Sequence, residues 1–193
     1  MAKPVLSDPV VVFTSVPECE AWFEEHHHDL DAFYAKIAKG AHRGETIGYQ
    51  DVLTVALCYG WIDGVKRAFD DKHFVQRFTP RRKASIWSKV NREKAENLIA
   101  SGQMRPAGLA AVDAARADGR WDAAYEGASV ATVPPDLAAA LEADPEAKAF
   151  FETLSGANRY AILFRVQTAR RPETRAKRIA TFVDMCHRHE TLH

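Results

Sequence analysis

Six aromatic residues, Tyr59, Trp61, Phe69, Phe74, Phe78 and Trp87, alternate with cations that include Lys66, Arg67, Arg77, Arg81, Arg82, Lys83 and Lys89 in the stretch from Tyr59 to Asn91. Aromatic faces beside guanidinium and ammonium groups suit an anionic, planar or phosphorylated partner, because stacking and charge pairing act together. The same composition also describes a packed hairpin with a solvated outer face. Read in order, the stretch divides. Trp61 to Phe78 reads as a hairpin whose rings build a core, and Arg81 to Asn91 reads as a basic junction that follows Pro80 and is extended and accessible. Trp87, beside Ile86, is read as a plug packed into that junction rather than as a stacking platform.

Other candidate groups are weaker. Asp63 follows the apolar pair Trp61-Ile62 on an expected strand. Strand parity puts Arg67 on its side, so a structural ion pair with Arg67 or Arg77 is favoured over an acid or base. Cys58 stands at the C-terminal end of an expected helix, where the dipole raises a thiol pKa, so it reads as a buried structural cysteine rather than a nucleophile. His26, His27 and His28 lie about 100° apart on a helix and cannot all face one ion, so no metal site and no cofactor are expected. No GxSxG, P-loop or GxGxxG pattern is present.

The elements that must position these groups begin with a β-branched run at Val10 to Phe13. Ser15, Pro17 and Glu18 then start a helix over about 16–28, on which Cys19, Trp22, Phe23 and His26 or His27 share a face. AFYAKIAK alternates as a half-buried strand, with Phe33, Ala35 and Ile37 on one side and Tyr34, Lys36 and Lys39 near the other. The three-glycine loop GAHRGETIG leads to a helix ending at Gly60. Two strands follow around the charged turn Asp70-Asp71-Lys72. Ser88 or Asn91 caps the next helix, and Pro106, the Pro134-Pro135 connector, Pro145 and Pro172 mark the later helix starts. The expected fold class is α+β: a small N-terminal sheet of about four strands with two helices, followed by a mainly helical C-terminal half of five short helices. The expected division is an α+β part over 1–82 and a helical part over 83–193, packed as one unit.

The 193 residues, 47% apolar, suffice for a sizeable core. Twenty-six basic side chains balance twenty-six acidic ones, but unevenly: residues 76–105 hold eight basic and two acidic, and residues 161–193 hold seven and three. Two basic blocks result, which serve either as ligand-steering patches or as separate solvated faces. Three scattered cysteines without a CxxC spacing suit a reducing cytoplasm. The opening MAKPVLSDPVVVF is too short in its apolar run for a signal core, and no window approaches a membrane-spanning length. The expectation is a cytoplasmic protein with no membrane span.

Several of these motifs together carry a resemblance. ALCYGWIDG, the run RFTPRRKASIWSKVNREKAENLIASGQMRPAGLAAVDAARADGRWD, and ARRPETRAKRIATFVDM resemble the YdeI/OmpD-associated family, also described as bacteriocin-protection proteins, over most of residues 50–186. The resemblance implies a bacterial cytoplasmic protein linked to stress or bacteriocin tolerance, with no established catalytic residue or cofactor. Carried onto its motifs, a ligand-binding surface falls on Trp61, Asp63, Arg81, Arg82, Trp87, Lys89 and Asn91, with Arg171 and Arg175 as a second wall. The favoured function is a non-enzymatic protein binding an anionic small molecule or nucleic acid. The alternatives are a small enzyme with a pocket near Asp63, Cys58 and His73, and an adaptor docking an acidic protein partner on Arg171, Arg175 and Arg178. The sequence leaves the oligomeric state open.

Overall fold

The computed structural model describes residues 6–193, which form two compact units. The first takes in the chain up to Ile86 together with Asn91–Asp122, and the second Trp87–Val90 together with Ala123–His193.

In the first unit β1 (Val10–Val12), β2 (Phe33–Ala38), β3 (Trp61–Ala68) and β4 (His73–Pro80) make one sheet in the order β1-β2-β4-β3. β1 runs parallel to β2, and the other pairs are antiparallel. The α1 helix (Val16–His26) starts as its sequence indicates. Ser15 Oγ accepts the Glu18 N–H, and the Glu18 carboxylate reaches back to the N–H and hydroxyl of Thr14. Cys19 and Phe23 on its inner face are buried. Phe23 meets Phe33 and Trp61, and Phe33 stacks on Phe78 at 5.5 Å, so of the Trp61–Phe78 rings Trp61 and Phe78 join the core while Phe69 and Phe74 stay half-buried. The α2 helix (Tyr49–Cys58) packs beside α1 and buries Val52, Leu53, Val55 and Ala56.

The hairpin turn needs no glycine. Asp70 Oδ1 accepts the N–H groups of Lys72 and His73, closing the turn through a side chain. β2 departs from the expected half-buried strand. Tyr34 and Ala38 are buried along with Phe33, Ala35 and Ile37, because β2 is an interior strand flanked by β1 and β4. The first unit is completed by α3 (Lys89–Ala100), whose first residues belong to the second unit, and α4 (Pro106–Ala117).

The second unit contains α5 (Pro135–Glu142), α6 (Pro145–Thr153), α7 (Gly156–Gln167) and α8 (Pro172–His187). Six helices therefore follow the sheet, one more than expected. The additional helix is NRYAILFRVQ with its preceding Gly156-Ala157, started by Ser155 Oγ accepting the Asn158 N–H. Leu137, Leu141, Phe151, Ile162, Val166 and Phe182 are among the residues of this unit's core. The fold class is α+β, as the element pattern indicates. No described helix is long and apolar enough to cross a membrane.

Candidate functional site

The irregularity that shapes the first unit lies in β3. Asp63 pairs with Phe78, but the next registered pair is Lys66 with Gln76, so the chain bulges at Gly64-Val65. One inserted residue reverses the side-chain alternation beyond it. Lys66 therefore shares a face with Asp63, Gln76, Phe74 and Ile37, whereas Arg67, opposite Val75, faces the other way. The expected Asp63–Arg67 pair is thereby excluded. Tyr49 Oη donates to Asp63 at 2.8 Å, and Arg77 is bonded to Asp8 instead.

On this face Phe33 and Trp61 pack against Phe23 of α1, and Phe78 stacks on Phe33. Farther along, the face opens into a cleft of about 670 Å³, within the size range of small-molecule sites. Ile37, Phe74 and Gln76 form its floor, and the segment Lys39–Tyr49 lines its wall. Thr46 Oγ1 stitches that wall to the sheet by accepting the Ala38 N–H and donating to the Ile47 carbonyl. Asp51 anchors the far end by accepting the Gly48 N–H at the start of α2. Gly44 lies in the wall with φ +115°, a conformation that side-chain-bearing residues avoid. Outside the wall, Glu45 stands between His42 and His73, at 2.8 and 3.7 Å, and its carboxyl is held below its usual range chiefly by the His42 hydrogen bond.

Lys39, Arg43 and Lys66 line the cleft, and no Asp or Glu does. None of these three cations makes an ion pair with a described residue. Lys39 Nζ donates to the Asp70 carbonyl, and Lys66 Nζ stands 4.1 Å from the centre of the Phe74 ring. The charged side chains that line the cleft are therefore all cations. A groove of similar volume on the second unit is different. Asp136 there is already bonded to Arg175 and Asp144 to His187, so its main charges neutralise one another.

The residues singled out from the sequence meet varied fates. Trp61 and Trp87 are each 1% exposed, so neither offers a stacking face to solvent. Trp61 Nε1 donates to the His27 carbonyl, and the Trp87 carbonyl accepts the Tyr125 N–H. Asn91 does not cap α3 but lies buried within its first turn. Lys89 is paired with Glu126. Arg81 bonds through its backbone to Gly60 and through Nη1 to the Ile86 carbonyl, while Arg82 and the following Lys83 have exposed side chains that make no ion pair with a described residue. Arg175 makes a bidentate pair with Asp136 and donates to the Val166 carbonyl; Arg178 donates to the Arg165 carbonyl; Arg171 is exposed.

The catalytic trio does not assemble. Asp63 lies opposite Phe78, five residues from His73 along β4, or about 17 Å of strand. His73 bonds to Asp70. Cys58 is buried, and its thiol is pushed up to about 11, mainly by burial and then by Glu20, which suits a structural cysteine. Among the described residues, no three His, Cys, Asp or Glu side chains are grouped to hold a metal ion. Sequence reasoning missed Lys39, Arg43 and Gln76, and named Lys66 among the cations of the Tyr59–Asn91 stretch without placing it in the binding set. The available signals were the three glycines of the wall loop and Gly64 inside a strand pattern, a common mark of a bulge.

The fold and cleft define an α+β protein with a cation-lined site on one face of a four-stranded sheet. Residues 11–111 match a family described as Domain of unknown function (DUF8412), more than half of the chain, and the protein belongs to that family. Residues 130–189 match the family described as Bacteriocin-protection, YdeI or OmpD-Associated, a narrower span than the motifs indicate but the same family. The Arg171–Arg175 motif falls in this second match and the Gly60–Asp63 motif in the first. No curated protein and no solved structure matches the chain.

Proposed function

We propose that this protein is a non-enzymatic, bacteriocin-tolerance-associated binding protein that holds a small anionic ligand in the cleft between the Lys39–Tyr49 segment and the sheet. The supporting observation is the convergence of Lys39, Arg43 and Lys66 on a cleft that no carboxylate lines. Separation of Asp63 from His73 favours binding over acid–base catalysis. A cytoplasmic location belongs to the same proposal, supported by three buried free cysteines.

The test is titration of labelled protein with inorganic phosphate and small carboxylates, followed by amide shifts in the wall loop. Each charge contributes about 1 kcal/mol to a partly solvated anion contact, so the Lys39→Met, Arg43→Met, Lys66→Met triple variant should weaken binding by 100-fold or more. Equal affinity in the two proteins would remove the proposal. A second reading rests on exposed Arg82 and Lys83, which make no ion pair with a described residue and could hold a polyanion such as nucleic acid. It predicts affinity that falls steeply with salt and is lost in Arg82→Ala, Lys83→Ala protein.

A further inference from the structure

The cleft contains one polar group whose arrangement goes beyond attraction of an anion. Gln76 is 4% exposed and lines the floor. Its Nε2 donates to the Gly64 carbonyl at 2.7 Å. The bulge explains that bond: with Gly64-Val65 displaced from the ladder, the Gly64 carbonyl lacks a registered cross-strand partner, and the side chain of the adjacent strand satisfies it. The bond also fixes which way the amide is turned. Nε2 is committed to β3, and Oε1 receives no hydrogen bond from any described residue. Gln76 Oε1 is not shut off from solvent, so a ligand that enters the cleft displaces water from this oxygen and must replace the lost hydrogen bond. Lys66, the cross-strand partner of Gln76, and Phe74, two residues before it, line the same cleft.

We infer that the ligand combines an anionic group, held by Lys39, Arg43 and Lys66, with an N–H donor that Gln76 Oε1 accepts, so that Gln76 sets specificity for acids carrying an amide or amino group. This rests on the anion-binding reading of the same cleft. Acylated amino acids and nucleotides with an exocyclic amine share the required chemistry. Of the cleft groups, Gln76 selects through the absence of a donor rather than through charge. A site whose acceptor takes an N–H from the ligand disfavours an analogue that replaces it with oxygen, because the acceptor then loses its water without gaining a donor.

The experiment screens acidic fragments by ligand-observed NMR in matched pairs. Each N-acyl amino acid is set beside its O-acyl hydroxy-acid ester, and adenosine monophosphate beside its 6-deamino counterpart. The N–H member of a binding pair should bind at least 10-fold more tightly to the native protein, and the ratio should fall toward one in Gln76→Met. The pair that shows the preference distinguishes the two sources of ligand. Equal binding within every pair would overturn the inference while leaving the anion reading intact. Failure of all acidic fragments at millimolar concentration would overturn both. If Gln76→Met does not fold, the ratio in the native protein still decides.

Discussion

Replacing Gly108 with alanine sets two effects of opposite sign against each other. Gly108 lies in α4, and an alanine there would ordinarily stabilise an exposed helix interior by about 1 kcal/mol. Here a Cβ would stand 2.2 Å from the Cys58 carbonyl oxygen, 2.8 Å from its carbon and 2.4 Å from Met104 Sδ. The methionine sulfur can swing aside, but the carbonyl is backbone at the end of α2 and also accepts the Arg105 N–H at 3.1 Å. Relief requires about 1 Å of separation between α4 and the end of α2, which strains the packing of the fully buried Val112 and Ala115. Overpacking of this kind costs roughly 1–3 kcal/mol and a weakened hydrogen bond about 1 more. The net expectation is destabilisation of about 2 kcal/mol after the helix gain is subtracted. Urea denaturation followed by circular dichroism measures it, with the slope checked for constancy between proteins. A neutral or stabilised variant would show that helix propensity wins and that the α2–α4 approach is not tight.

Further outcomes follow from the same structure. Gly44→Ala has open space around the added carbon but an unfavourable φ, so it should destabilise by about 1–2 kcal/mol and weaken anion binding through the cleft wall, read by thermal shift and titration. Asp144→Asn preserves the cap on α6 but removes the charge that raises the His187 pKa above its ordinary 6.5. The imidazole titration followed by NMR should therefore move down. The Asp144 carboxyl is lowered first by the Ala147 N–H and then by His187. Its contribution to stability is present above its ordinary 3.8 and lost as pH falls through the lowered folded value. The His187 contribution is complete below 6.5 and lost as pH rises through its raised folded value, and Asp144→Asn should flatten that upper limb. Arg175→Met removes a bidentate pair with Asp136 that is partly solvent-screened, together with a bond to the Val166 carbonyl, and should cost about 1 kcal/mol by denaturant midpoint.

Much of the fold was legible because its signals are local. Ser15 and Glu18 act on backbone groups within one turn, Pro106, Pro145 and Pro172 sit at helix starts, and Asp70 closes its turn through neighbouring N–H groups. The candidate site was much less legible. Trp61 and Trp87 carry the composition of a binding surface, but large rings contribute most when removed from water, and both are core. Arg175 looks free in sequence because its partner, Asp136, is 39 residues away. The interior position of β2 depends on β1 and β4 closing over both edges, which alternation within AFYAKIAK does not reveal.

The sequence by itself determined the α+β class, the helix starts, the basic character of the Arg81–Lys83 segment and the family resemblance, because these are set by residue types at short spacing. Tertiary structure alone decided which charges meet. One bulge at Gly64-Val65 turns Lys66 onto the face of Gln76 and Arg67 off it, and the loop from Lys39 to Tyr49 brings two more cations to the same cleft. Strand parity has a period of two, so a single inserted residue exchanges the faces of every side chain beyond it, and the cue for that insertion in the chain is a lone glycine.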